Sequence, residues 1–151
     1  MNYLSNLFKV LILICTLALI NINCKNKTSK ITTPPTVESI SGIYTITGAK
    51  LTSDGTEKDI YPGLNECQKN NTYGFNKDMV WYLGGVAKQD CTGPDESGTW
   101  ALNGNILTVN SQQSGNYQYT IINFDGKVLV TESTADNNGK KETMLTTFTK
   151  K

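Results

Sequence analysis

The sequence predicts an all-β domain, an antiparallel up-and-down meander of eight or nine strands that closes into a small barrel, with little helix. Short runs of alternating, β-branched and aromatic residues recur from about residue 40 onward, and Asn-Gly and Asp-Gly pairs separate them. No stretch of this region keeps the 3.6-residue apolar period of an amphipathic helix. A meander of this many strands removes its exposed edges by closing on itself. A two-sheet sandwich is the alternative.

Residues 1–23 have the pattern of a signal peptide. Lys9 supplies a positive charge, and the 11 residues from Val10 to Ile20 are apolar except for Thr16. This run is shorter than the roughly 20 residues that a membrane-spanning helix needs, and its length is typical of a signal sequence. An ordinary secretory cleavage is the alternative, but the small residues that it needs lie inside the apolar run. We therefore expect export of the chain.

Cys24 follows the apolar run and precedes a polar, Pro-containing stretch over residues 25–37. This arrangement resembles the cleavage region of bacterial lipoproteins. The resemblance implies a lipid on Cys24 and anchoring to a bacterial membrane, which we expect to be the outer membrane, on its periplasmic or surface face. Residues 24–37 would then be the lipidated cysteine and a flexible tether, because such a composition cannot bury a core.

The folded domain is expected over residues 38–151. Tight turns join most of its expected strands, so neighbours in sequence should be neighbours in space. In the stretch 51–60 the turn Ser53-Asp54-Gly55 precedes a short edge strand. Asn103-Gly104 should supply the positive φ angles of a two-residue hairpin. The other expected strands are 40–47, 72–75, 79–83, 97–102, 106–109, 117–124, 127–132 and 142–149, and the other expected turns are 76–78, 125–126 and 136–139.

Two internal cysteines, Cys67 and Cys91, remain after the signal peptide and Cys24 are set aside. In an exported protein such a pair is expected to form a disulfide. Closing this loop of about 25 residues would stabilise the domain by roughly 3 kcal/mol. A redox or metal role would need a Cys-x-x-Cys pair or a histidine, and the chain has neither.

Charge and composition exclude several classes of function. The chain carries 14 basic and 13 acidic residues, so its net charge is zero once Lys9 is removed, and it has no Arg and no His. Such a domain lacks the basic surface of a nucleic-acid binder and the imidazole of a Ser-His or Cys-His site. The acidic stretches 54–59 and 136–142 do not match the spacing of a calcium loop. We expect no cofactor, no metal site and no enzymatic activity.

The pattern of a glycine, any residue and then an aromatic residue occurs in two strands, at Gly42–Tyr44 and Gly98–Trp100. The glycine permits a bend, and the aromatic side chain would fill the end of the barrel. The first copy resembles the Gly-x-Trp start of lipocalins. With Cys67, Phe75, Cys91 and the run from Ser97 through Leu107, the order of elements resembles the lipocalin-like domain of bacterial lipoproteins. The resemblance spans residues 40–149 and implies an up-and-down barrel with an apolar cup and no shared ligand.

Five aromatic residues are the candidates for the barrel interior, as core or as ligand-lining side chains. They are Tyr44, Trp81, Trp100, Tyr119 and Phe148. The expected function is non-enzymatic binding of a small apolar ligand or of an envelope protein. The alternative is an inhibitor or envelope-interaction protein that resembles the lipoprotein inhibitors of lysozyme. No oligomeric state is indicated.

Overall fold

The computed structural model describes residues 34–84 and 95–151. It contains nine strands in these two ranges, with two short α-helices and one 3-10 helix. The strands are β1 (Gly42–Ser53), β2 (Thr56–Asp59), β3 (Thr72–Phe75), β4 (Val80–Gly84), β5 (Glu96–Asn103), β6 (Ile106–Ser111), β7 (Gly115–Phe124), β8 (Val128–Asn137) and β9 (Lys140–Lys150). The helices are α1 (Val37–Ile40), the 3-10 helix (Tyr61–Gly63) and α2 (Glu66–Asn70).

Eight of the strands form a closed antiparallel barrel. Strands β3 to β9 pair in sequence order, and β9 returns to pair with β1, which also pairs with β3. Strand β2 is an additional ninth strand, hydrogen-bonded to the last four residues of β1. The predicted all-β barrel with little helix is confirmed, and the sandwich alternative is wrong, because β9 pairs with β1 from Tyr44↔Lys150 to Ser53↔Glu142.

Strand β1 begins later and ends later than predicted. Ile40 belongs to α1, where the hydroxyl of Thr36 accepts a hydrogen bond from the backbone N–H of Ser39 and the Ser39 hydroxyl accepts one from the backbone of Thr36. Such a reciprocal cap stabilises the start of even a short helix. The strand then passes through a register shift between Ile46 and Gly48 and continues to Ser53. This irregularity lets one long strand follow the curvature of the barrel.

Helix α1 covers one end of the barrel, which we call the capped end. Ile40 is completely buried there, and its carbonyl oxygen accepts a 2.7 Å hydrogen bond from the Tyr44 hydroxyl. The opposite end, which we call the far end, contains the end of β4, the start of β5 and the β8–β9 turn. A ligand that reaches the interior without displacing α1 would therefore enter from the far end.

The hairpin turns lie where predicted, with corrections to their residues: Met79, predicted in a strand, has a φ of 66° and precedes β4, and Asp136 and Asn137, predicted in a turn, belong to β8. The β8–β9 turn uses Asn138 and Gly139, both with positive φ, as expected for an Asn-Gly hairpin. In the β5–β6 turn, Asn103 still pairs with Ile106, so the two loop residues are Gly104 and Asn105. The prediction of positive φ at Asn103 was wrong, because only Gly104 of these residues has it. A glycine in the first loop position suits the other common two-residue hairpin.

Helix α2, which was not predicted, connects the 3-10 helix to β3 and carries the half-buried Cys67. Asn65 caps it through a reciprocal pair of hydrogen bonds with Gln68. The predicted partner Cys91 lies outside the described residues, as does the predicted attachment site Cys24, so both assignments stay predictions. None of the helices in the described ranges is long and apolar enough to cross a bilayer.

Candidate binding site

An aromatic cluster fills the capped half of the barrel. The ring of Phe75 makes edge-to-face contacts with Tyr44, at 5.9 Å between centroids, and with Trp100, at 5.4 Å. The indole N–H of Trp100 donates a 2.9 Å hydrogen bond to the carbonyl oxygen of Asn76. Tyr44 and Trp100, the aromatic residues of the two Gly-x-aromatic patterns, thus both contact Phe75. We call these three packed rings the aromatic floor.

Beside this aromatic floor, the interior of the barrel holds a small apolar cavity. Its volume is about 40 Å³. This is room for a few water molecules at about 10–15 Å³ each, and it is well below the roughly 150 Å³ that accommodates benzene. The lining consists of Tyr73, Phe75, Trp81, Leu107, Val109, Tyr119, Leu129, Thr131 and Phe148. The barrel is therefore nearly filled, and a larger ligand requires some of these side chains to move.

The least buried side chains of the cavity wall are aromatic. Tyr73, Tyr119 and Phe148 are partly buried, whereas Trp81 and Phe75 are almost fully buried. The rings of Tyr73 and Phe148 meet edge to face at 5.2 Å across the inner side of β1. Partly buried side chains have more room to change rotamer, so these three are the ones that can widen the cavity.

The electrostatics of the cavity keep its phenol groups neutral. Burial raises the pKa of Tyr119 to about 12, and the nearby Glu96 contributes to the shift. Burial also raises the pKa of Tyr73, again with a contribution from Glu96. Glu96 itself accepts a 2.7 Å hydrogen bond from the buried Ser111 hydroxyl near the far end. The cavity is thus lined by uncharged groups, with one carboxylate close to its far end.

Two partly exposed apolar side chains lie toward the far end. Tyr117 stacks on Tyr119 with 6.4 Å between ring centroids, and 38% of its surface is exposed. Met144 follows the same inward alternation on β9 as Thr146 and Phe148, and is 39% exposed. An apolar molecule that approaches the cavity from this end would meet these two side chains before the cavity itself.

The structure places all five predicted interior aromatics inside the barrel, but in two different places. Trp81, Tyr119 and Phe148 line the cavity. Tyr44 and Trp100 belong to the floor and do not line it. Sequence reasoning missed Tyr73 and Thr131. The alternation of β3 could have indicated Tyr73, since it lies two positions before Phe75, whereas a threonine in a β-branched run gives no such signal.

The described residues contain no group of three or more His, Cys, Asp or Glu side chains that could hold a metal ion. The acidic stretches considered above lie at two hairpins near the far end, partly in their turns and partly in the flanking strands. Asp54 forms a 2.8 Å ion pair with Lys140, and a carboxylate oxygen of Asp136 accepts a hydrogen bond from the backbone N–H of Gly139. These carboxylates therefore have identifiable structural roles in hairpin turns.

Comparison with known proteins identifies the family. The model of the lipocalin-like domain matches residues 40–131, which is more than half of the chain. The structure is similar to that of a lipocalin-like protein from Bacteroides uniformis, with 14% identity and a TM-score of 0.51 over 75% of this chain and 99% of the other. An uncharacterized protein from Bacteroides eggerthii has 11% identity and a TM-score of 0.48 over 74% of this chain and 98% of the other. No functionally curated protein matches the sequence. With its closed eight-stranded barrel and this match, the chain belongs to the lipocalin-like domain family.

Proposed function

We propose that this protein is a non-enzymatic binding protein for a small apolar molecule, which it holds in the cavity inside its barrel. The observation that carries the proposal is the cavity between the aromatic floor and the far end, whose wall is almost entirely apolar. Small-molecule sites are typically concave and apolar with a few polar groups that orient the ligand. The lipocalin-like fold supports this assignment, since such barrels commonly bind small hydrophobic molecules.

The size of the cavity limits the ligand and its affinity. At about 40 Å³ the cavity accepts a narrow chain more readily than a ring, unless Tyr73, Tyr119 and Phe148 swing outward. Each buried methylene group contributes about 0.8 kcal/mol, and moving the wall side chains and immobilising the ligand offset part of this. We expect a dissociation constant that is roughly micromolar or weaker.

We further propose that the barrel is anchored to a bacterial membrane through a lipid on Cys24, after removal of residues 1–23. The described chain is compatible with this arrangement, since Pro34 and Pro35 lie beside the β5–β6 and β7–β8 turns at the capped end. A tether that leaves the barrel there would hold it by its capped end. The far end of the barrel would then lie farther from the membrane than the capped end.

Titration of the full chain with a panel of small hydrophobic probes tests the binding proposal. Trp81 lines the cavity and Trp100 does not, so the fluorescence change on binding should come from Trp81. We expect a saturable shift in emission that Trp100→Phe retains and Trp81→Phe removes, with calorimetry to show that Trp81→Phe still binds. A flat response across the panel would contradict the proposal and favour an envelope protein as the partner.

A further inference from the structure

We propose that the cavity selects molecules that carry an uncharged hydrogen-bonding group, and that this group pairs with the hydroxyl of Thr131. The inference rests on the proposed function, because it names the chemical class of ligand that the same cavity would take. It assigns to Thr131 the role of a specificity-determining residue within an otherwise apolar wall.

Among the residues that the structure describes, Thr131 has a buried side-chain hydroxyl without a hydrogen-bond partner. It lies in the middle of β8, opposite Ile121 on β7 and Thr146 on β9, and only 1% of its surface is exposed. Its hydroxyl has no hydrogen-bond partner among the described residues, although Thr131 lies in the cavity wall. Rotation about χ1 exchanges the hydroxyl with the methyl group, so the hydroxyl can face the cavity.

A buried hydroxyl without a partner destabilises a fold, and a valine of the same shape would avoid this cost. A threonine at this position is therefore explained if something in the cavity completes its hydrogen bond. A water molecule there needs two to four polar partners, and the hydroxyl groups of Thr131, Tyr73 and Tyr119 are the side-chain hydroxyls of an otherwise carbon-rich wall. A molecule with one polar group and an apolar chain satisfies the hydroxyl and the apolar wall together.

The charge around the cavity restricts that polar group. All nine lining residues are uncharged, so no cationic side chain is present in the wall to pair with a carboxylate or phosphate. Glu96 is close enough to contribute to the raised pKa of both Tyr73 and Tyr119, and it would repel an anion in the same place. An ion at Thr131 would also lose its hydration without gaining a counter-ion. An alcohol, ketone, ester or amide fits; a fatty acid does not.

Calorimetric titration of the full chain at pH 7 with four probes of one chain length tests the inference. The probes are 1-hexanol, hexanoate, hexylammonium and 1-chlorohexane, the last of which has no oxygen or nitrogen group to form a hydrogen bond. We expect 1-hexanol to bind at least about 10-fold more tightly than either ion. Thr131→Val should weaken 1-hexanol binding by about 3- to 10-fold, the equivalent of one neutral hydrogen bond, and should leave 1-chlorohexane binding unchanged.

Two further variants control the comparison. Thr146→Val makes the same change on the neighbouring strand, outside the cavity wall, and should leave all four affinities unchanged. Thr131→Ser keeps the hydroxyl and should preserve the preference for 1-hexanol. Without any probe, Thr131→Val should melt at the same temperature as the parent or higher. A fall of several degrees would show that the hydroxyl already has a buried partner and would overturn the inference.

The outcomes separate the inference from the proposed function. If 1-hexanol binds the parent and Thr131→Val within twofold, or if hexanoate binds as tightly as 1-hexanol, the role of Thr131 is overturned while apolar binding in the cavity stands. If neither 1-hexanol nor 1-chlorohexane binds, the proposed function and the inference are both overturned.

Discussion

Replacing Gly98 with alanine tests how β5 and β6 fit together. A Cβ atom at this position would lie 1.9 Å from the carbonyl oxygen of Asn110 on β6, whereas real Cβ atoms essentially never approach within 3.0 Å. The two strands would have to separate by at least about 1 Å at a point where Gly98 pairs with Ser111. Gly98 precedes Trp100 by two residues, so the same displacement would disturb the aromatic floor.

The expected loss is about 3 kcal/mol of unfolding free energy, at the upper end of what overpacking a well-packed site costs. For a domain of this size that corresponds to a fall in melting temperature of roughly 12 °C, at about 4 °C per kcal/mol. Thermal unfolding of Gly98→Ala and of the parent, followed by far-ultraviolet circular dichroism, measures this difference in melting temperature.

Two other glycines provide matched controls. Gly63 has nothing within 4 Å of a new Cβ, so Gly63→Ala should change stability by less than about 1 kcal/mol. Gly104 also has open space, but its φ of +59° disfavours any L side chain, and Gly104→Ala should cost about 1–2 kcal/mol. If Gly98→Ala melts within a few degrees of Gly63→Ala, the close approach of β5 to β6 is not a feature of the protein.

Three further predictions concern pH, the cysteines and processing. Burial raises the pKa of Tyr44 to about 12, whereas the unfolded chain ionises near 10, so the contribution of Tyr44 to stability should be constant below about pH 9 and fall as the pH rises from 10 to 12. Denaturant titrations at several pH values should show that Tyr44 accounts for up to about 2.7 kcal/mol of this loss of unfolding free energy. The loss should be smaller by this amount in Tyr44→Phe, and an unchanged dependence on pH in that variant would contradict the role of Tyr44. Peptide mapping without reductant should find Cys67 linked to Cys91, and two alkylatable thiols would exclude the disulfide. Radiolabelled palmitate should be incorporated into the chain but not into Cys24→Ala, and equal labelling of both would exclude lipidation at that residue.

Local signals in the sequence account for most of the barrel. Alternation and turn residues are properties of short segments, so β3, β4 and the Asn138-Gly139 turn could be predicted from a few residues each. The ends of β1 could not. Its start depends on the Thr36 cap that draws Ile40 into α1, and its length depends on pairing with β9, almost 100 residues later in the chain. Such pairing is a property of the closed barrel.

The candidate site, too, could be predicted from the sequence only in part. Alternation along single strands indicated which aromatic residues face inward, including Trp81 and Trp100. It could not indicate that Phe75 separates them into a cavity wall and a floor, because that depends on the depth of each strand in the barrel. The sequence also could not indicate that the Thr131 hydroxyl lacks a hydrogen-bond partner, since this depends on which side chains of the neighbouring strands lie next to it.

The central claim is that a small apolar molecule binds in the cavity inside the barrel, and nuclear magnetic resonance tests it most directly. In the full chain with saturating 1-hexanol, intermolecular nuclear Overhauser effects from the probe should reach the methyl groups of Leu107 and Leu129, which line the cavity and are nearly inaccessible from outside. Contacts only to Ile43 and Val80, whose side chains are exposed on the described surface, would contradict the claim and place the binding on the outside of the barrel.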